Sequence, residues 1–142
     1  FGSVVELYER ASALEKHLNS KMLQDIVTAY HRVANLAKSS PGGEVNPSWF
    51  EMEAEWNLYR SYLEARERLE LELPGRRYGA CLALLQELRE PVDCFFDQVL
   101  VMTEQQRQRE NRLNLLAAVQ DLFNRVADFS LLAEIVGRNN IS

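Results

Sequence analysis

Apolar residues recur along this chain three and four positions apart, with polar and charged residues between them. That is the spacing of amphipathic helices. The row Leu23, Ile26, Val27, Tyr30, Val33, Ala34 and Ala37 predicts a helix that ends near Lys38. An earlier helix is expected over Val4 to Leu18, with Ser3 as N-cap, Glu6 three residues on in the manner of a capping box, and Asn19-Ser20 as the break. Residues 39–47, opening with Ser39-Ser40-Pro41-Gly42-Gly43, form the main internal loop. Asn46-Pro47-Ser48 then opens a long third helix. One apolar row of that helix is Trp49, Met52, Trp56, Tyr59 and Leu63; its neighbour is Leu58, Tyr62, Ala65, Leu69 and Leu73. The opposite face is charged, with Glu64 and Arg68 a favourable i,i+4 pair and Glu51 and Glu55 a repulsive one.

Pro74-Gly75 ends the third helix, and a fourth runs from about Arg77 with Tyr78, Cys81, Leu82, Leu85 and Leu88 facing inward. Pro91 suits the first turn of a fifth helix, where no amide donor is required. Its apolar face is Val92, Phe95, Phe96, Val99 and Met102, and Thr103-Glu104 is a turn or cap. The last helix is expected from Gln106 to Val136, with Leu115, Val119, Leu122, Val126 and Phe129 inward and Gly137 and Asn139-Asn140 marking its end. Nothing alternates as a strand would, and there is no internal repeat. The pattern predicts an all-α fold: an antiparallel helical bundle of about five to six helices, forming a single domain over residues 1–142.

A chain of 142 residues can bury one proper core. It begins with Phe1 rather than Met, which is read as the mark of a piece of a longer polypeptide. No apolar run approaches the roughly 18 residues of a membrane span, and no signal-peptide pattern is present, so a cytoplasmic location is expected. Two cysteines, Cys81 and Cys94, make neither a disulfide framework nor a zinc site and are read as small buried apolar residues. The net charge of -5 weighs against nucleic-acid binding, but its distribution softens that objection. Residues 1–40 carry five basic and four acidic side chains, residues 41–75 three and eight, and residues 76–142 eight and nine. The acid excess therefore sits in one segment, which leaves room for a local basic face.

Catalytic and metal chemistry find no support. Neither His17 nor His31 has Glu three residues before it, as a di-iron bundle needs, and no Cys or His pair has zinc spacing. Gly42-Gly43 lacks the Lys-Ser/Thr of a phosphate-cradling loop. No catalytic residue, metal ligand or cofactor is expected within these residues.

Two polar clusters stand out. Thr28, His31, Arg32, Asn35 and Lys38 share one face of the second helix, where Arg32 and Lys38 suit phosphates and Asn35 suits a base edge. The same spacing fits an ordinary solvated face. The run from Gln105 to Arg112 places Arg107, Arg109 and Arg112 near a helix start, together with free amides. Arg107 and Arg109 fit either a phosphate contact or a surface turn. For Arg112 a structural role, folded onto a buried acid such as Asp97, is the better fit. The aromatic residues Trp56, Tyr59, Phe95 and Phe96 are read as core rather than as stacking platforms, and Trp49, at a helix start, is expected to be partly exposed.

The order of several motifs resembles the C-terminal, DALR-type anticodon-binding domain of the bacterial glycyl-tRNA synthetase beta subunit. The motifs are Leu7-Tyr8-Glu9-Arg10 with Ala13-Leu14; Tyr30-His31-Arg32-Val33-Ala34-Asn35-Leu36; Ala54-Glu55 with Leu58-Tyr59; Asp93 through Met102; Asn111-Arg112-Leu113 with Leu115-Leu116; and Val126-Ala127-Asp128-Phe129-Ser130. His31 stands where that family commonly has Lys, which removes one positive charge from its face. The resemblance implies an all-α domain like the one with which class Ia arginyl-tRNA synthetases read anticodons. It implies a partner alpha subunit that carries the aminoacylation site, glycine tRNA as the bound RNA, and ATP and Mg²⁺ as requirements of the holoenzyme rather than of this piece.

The expectation is thus a non-catalytic tRNA anticodon-binding domain using His31, Arg32, Asn35, Lys38, Arg107, Arg109 and Arg112. The alternative is a helical scaffold that docks a partner subunit without touching RNA. Exposure of Arg32, Asn35 and Lys38 together on one concave face favours the first; their burial in internal ion pairs favours the second.

Overall fold

The computed structural model describes residues 21–129. The expected first helix, and the last helix beyond Phe129, lie outside the described residues. Five α-helices and one 3-10 turn are described: α1 (Lys21–Ala37), the turn Pro47–Trp49, α2 (Glu53–Glu72), α3 (Tyr78–Glu87), α4 (Arg89–Gln98) and α5 (Gln106–Val126). No strand occurs among them, so the all-α expectation holds.

Side-chain pairs fix the helix directions. Tyr30 packs on Phe123, and Ser40, just past α1, bonds Asn114, so α1 and α5 are antiparallel. Arg112 reaches Glu55 at one end of α2 and Arg125 reaches Glu70 near the other, so α2 runs parallel to α5. Asp25 pairs with Arg89 and Arg32 with Asp93, so α4 runs parallel to α1. One end of the bundle therefore gathers the C-termini of α1 and α4, the N-termini of α2 and α5, the 39–47 loop and the turn before α5.

The core forms where the predicted stripes meet. Leu23, Ile26, Val33, Leu58, Leu69, Leu82, Leu85, Phe95, Leu115, Leu116, Val119 and Phe123 are fully buried. Tyr30, Phe123 and Phe129 form an aromatic cluster with centroids 5.8–6.0 Å apart, within the range of tilted and edge-on ring contacts. Cys81 is buried and Cys94 partly so.

Four details differ from the sequence pattern. The third helix does not begin at Asn46-Pro47-Ser48: those residues make the 3-10 turn capped by the Asn46 side chain, the chain extends at Phe50 and Met52, and α2 starts at Glu53. The apolar row of the expected helix therefore breaks, leaving Trp49, Met52 and Trp56 exposed, the last against expectation. Val99 is extended rather than helical, and burial then alternates: Val99 5%, Leu100 69%, Val101 5%, Met102 53%. The chain leaves the helix at Val99 and turns at Val101-Met102, which takes Met102 off the helix face. Finally, α5 stops at Val126, because Ala127 is fully extended (φ -164°). Asp128 follows, a residue type favoured just ahead of a helix start, yet Phe129 still reaches the core.

Candidate nucleic-acid interface

The face of α1 opposite its core stripe is built by helical periodicity alone. Leu23, Ile26, Tyr30, Val33 and Ala37 are held inside, so His31, Arg32, Asn35 and Lys38 emerge together and all four are exposed. From Arg32 to Lys38 the face rises roughly 9 Å toward the loop end of the bundle. Arg32 is not a free cation. Its Nη1 donates to Asp93 Oδ1 at 2.7 Å, and its guanidinium lies 5.0 Å from the Phe96 ring centroid. Asp93 also accepts from Arg89 Nε at 2.9 Å, and Arg89 pairs onward with Asp25. The chain Asp25–Arg89–Asp93–Arg32 fixes the orientation of the Arg32 side chain while leaving it 40% exposed.

The 39–47 loop follows directly and is tied to α5 at two points. Asn114 Oδ1 accepts from Ser40 Oγ at 2.8 Å, and its Nδ2 donates to the Glu44 carbonyl at 3.3 Å. Three residues earlier on α5, Asn111 Oδ1 accepts from the Asn46 amide at 2.7 Å and its Nδ2 donates to the Asn46 carbonyl at 3.0 Å. Both asparagines are buried, so each bond forms where water competes little. On the α2 side of this loop lies an open groove of about 660 Å³, walled by Gly43, Tyr59, Tyr62, Arg66 and Asn114.

The arginine cluster divides into three situations. Arg107 is exposed, its guanidinium 4.8 Å from the centroid of the Trp49 ring. Arg109 is half-buried and donates to the Thr103 carbonyl at 3.1 Å, bracing the turn ahead of α5. Arg112 is 5% exposed; it donates to the Leu100 carbonyl at 2.7 Å and to Glu55 Oε1 at 3.2 Å. A guanidinium so enclosed has no route to a phosphate, and the expectation that Arg112 contacts RNA gives way to a structural role. Its partner is Glu55, not the exposed Asp97. The Glu51–Glu55 pair read as repulsion on a solvated face is likewise corrected. Glu55 is fully buried, and its Oε1 also accepts the amides of Glu51 and Met52 ahead of α2.

His31, Arg32, Asn35 and Lys38 thus share one exposed face, and Arg107 and Arg109 lie at the end of the bundle toward which that face runs. The Trp49–Arg107 pair and the Asn111/Asn114 clamp are not among the features expected from the sequence. The signal was present: asparagines three apart on the apolar side of a helix, where only satisfied polar groups are tolerated. Among the described residues no group of His, Cys, Asp or Glu is placed to hold a metal ion, and no helix is long and apolar enough to cross a membrane.

The chain is similar to several curated proteins. The glycine–tRNA ligase beta subunit of Desulforudis audaxviator is 48% identical over 127 residues, covering 89% of this chain and 18% of that protein. The beta subunits of Natranaerobius thermophilus and Syntrophus aciditrophicus are 33% and 35% identical, covering 93% and 92% of this chain and 19% of each protein. The chain therefore spans about a fifth of the length of these curated relatives. The family model of the DALR anticodon binding domain matches residues 26–129, nearly all of the helices described above, and the chain belongs to that family.

Proposed function

We propose that this chain is the anticodon-binding domain of a glycyl-tRNA synthetase beta chain, a single domain that holds the anticodon stem-loop of glycine tRNA. Arg32 and Lys38 contact backbone phosphates, Asn35 and His31 meet base edges or sugars, and Arg107 and Arg109 approach from the turn before α5. Arg112 acts from inside, as a brace. In this reading the domain itself is non-catalytic. The cytoplasmic holoenzyme attaches glycine to tRNA with ATP and Mg²⁺, and the reaction takes place on the alpha chain.

The observation that carries the reading is the joint exposure of His31, Arg32, Asn35 and Lys38 on one helix face of a domain whose family binds anticodons. With so few cations the grip is modest and salt-sensitive. The test is a titration of the full-length beta chain, with its alpha chain, against glycine tRNA and an anticodon-swapped control at two salt concentrations. Equal affinity for both RNAs removes anticodon reading.

A second reading, a docking scaffold for the rest of the enzyme, draws on one feature. The outer side of α2 exposes Glu53, Glu64, Glu67 and Glu70 beside Leu71, which is 72% exposed. Such a surface suits a protein neighbour better than RNA, and the same titration separates the two.

A further inference from the structure

We infer that Trp49, backed by Arg107, is a stacking platform for one unpaired base of the bound RNA loop; this rests on the RNA reading above. Trp49 is 36% exposed, whereas a core aromatic such as Phe95 is 0%. It is held in place before any ligand arrives. The 3-10 turn that carries it is capped by Asn46, whose carbonyl accepts the Trp49 amide at 3.1 Å and whose backbone is clamped on both sides by buried Asn111. With the backbone fixed this way, only the indole's own rotations remain to be ordered on binding.

The Arg107 guanidinium lies over the indole, 4.8 Å from the ring centroid, and adds a cation to one side of the platform. Met52 and Trp56 are also exposed, and Trp56 meets Phe50 edge-on at 5.1 Å. Glu51 and Glu53 are exposed immediately after the turn. Glu51 lies 3.8 Å from Arg112, while Glu53 adds a negative charge that disfavours a phosphate more than the face of a base. Every base offers such a face, so this contact holds the loop and leaves discrimination to polar groups such as Asn35.

The experiment uses the full-length beta chain with its alpha chain and a glycine tRNA transcript, together with transcripts made abasic at each anticodon-loop position in turn. Trp49→Ala is expected to weaken binding of the intact transcript about ten-fold or more, the loss of one stacked base. Trp49→Phe, which keeps a ring and the fold, is expected to retain most of the affinity. For the one transcript abasic at the stacked position, the Trp49→Ala loss should disappear. If Trp49→Ala binds like wild type while Lys38→Ala does not, the platform is wrong and the RNA reading stands; if neither matters, both fail. An equal Trp49→Ala loss on every abasic transcript overturns the stacking contact. Dissociation of the two subunits by Trp49→Ala in sedimentation overturns it in favour of protein docking.

Discussion

The guanidinium of Arg112 meets the carboxylate of Glu55 at 3.2 Å, with both side chains all but closed to solvent. The pair joins the start of α2 to the first turns of α5, and through the Leu100 carbonyl it also holds the turn that follows α4. Removing one partner strands the other charge in the core, a loss of about 3–5 kcal/mol. Arg112→Met is therefore expected to be strongly destabilising, and Arg112→Met with Glu55→Leu less so than the sum of the single changes. Urea unfolding of the four members of that cycle checks this. Additive losses would show that the two residues are not coupled.

Asn111 makes two bonds to the backbone of Asn46 from a position 1% exposed. Asn111→Ala leaves the Asn46 amide without its partner and the Asn46 carbonyl with the Trp49 amide alone, at a cost of about 1–3 kcal/mol. Hydrogen exchange at the Asn46 amide should quicken well beyond that at amides in the middle of α5. A uniform rise instead would mean that the clamp has no local effect.

How much of this was legible in the residues depends on what each one signals locally. The apolar rows of α1, α3 and α5 fixed the core because every third or fourth position agrees with its neighbours. The break at Phe50–Met52 was hidden, because Trp49, Met52 and Trp56 also fit a helical row; the turn is decided by the side chain of Asn46 and by Glu55 reaching back to the amides of Glu51 and Met52. The extended conformation at Val99 carried its own clue in a β-branched residue, a type that favours extended chain. The exposed face of α1 could be read from spacing. The capture of Arg32 by Asp93, 61 positions away, and the burial of Arg112 could not, since both depend on which helices become neighbours.

Asp93 restrains the most prominent cation of the proposed RNA face. Because the Arg32–Asp93 pair is only partly buried, freeing Arg32 releases a modest interaction. Asp93→Asn is expected to tighten tRNA binding by about two- to five-fold and to steepen its salt dependence. Filter binding of the full-length enzyme at several salt concentrations measures both; weaker binding would show that the pair orients Arg32 productively.

Lys38, by contrast, stands exposed just past α1. Lys38→Ala should weaken binding to cognate and anticodon-swapped tRNA alike and lower the salt slope by about 0.7, the value for one phosphate contact on a single strand. A change in discrimination without a change in slope would assign Lys38 to a base instead.

Gly42 has φ +86°, with open space where a side chain would stand. Gly42→Ala is expected to cost about 1–2 kcal/mol through backbone strain alone, and Gly42→Asn less, since Asn tolerates this conformation. Shifts in the denaturation midpoint read this directly.

The two asparagines that fasten the 39–47 segment sit three positions apart on α5, so the helical rise between them, and not the contour of the loop, sets how far Lys38 stands from Trp49. Residues 41–43 lie between the fastened points at Ser40 and Glu44 and are all exposed. Lengthening the chain there would bulge outward and leave that spacing unchanged, whereas one residue added on α5 between Asn111 and Asn114 would swing one clamp away by about 100° and pull the two halves of the surface out of step.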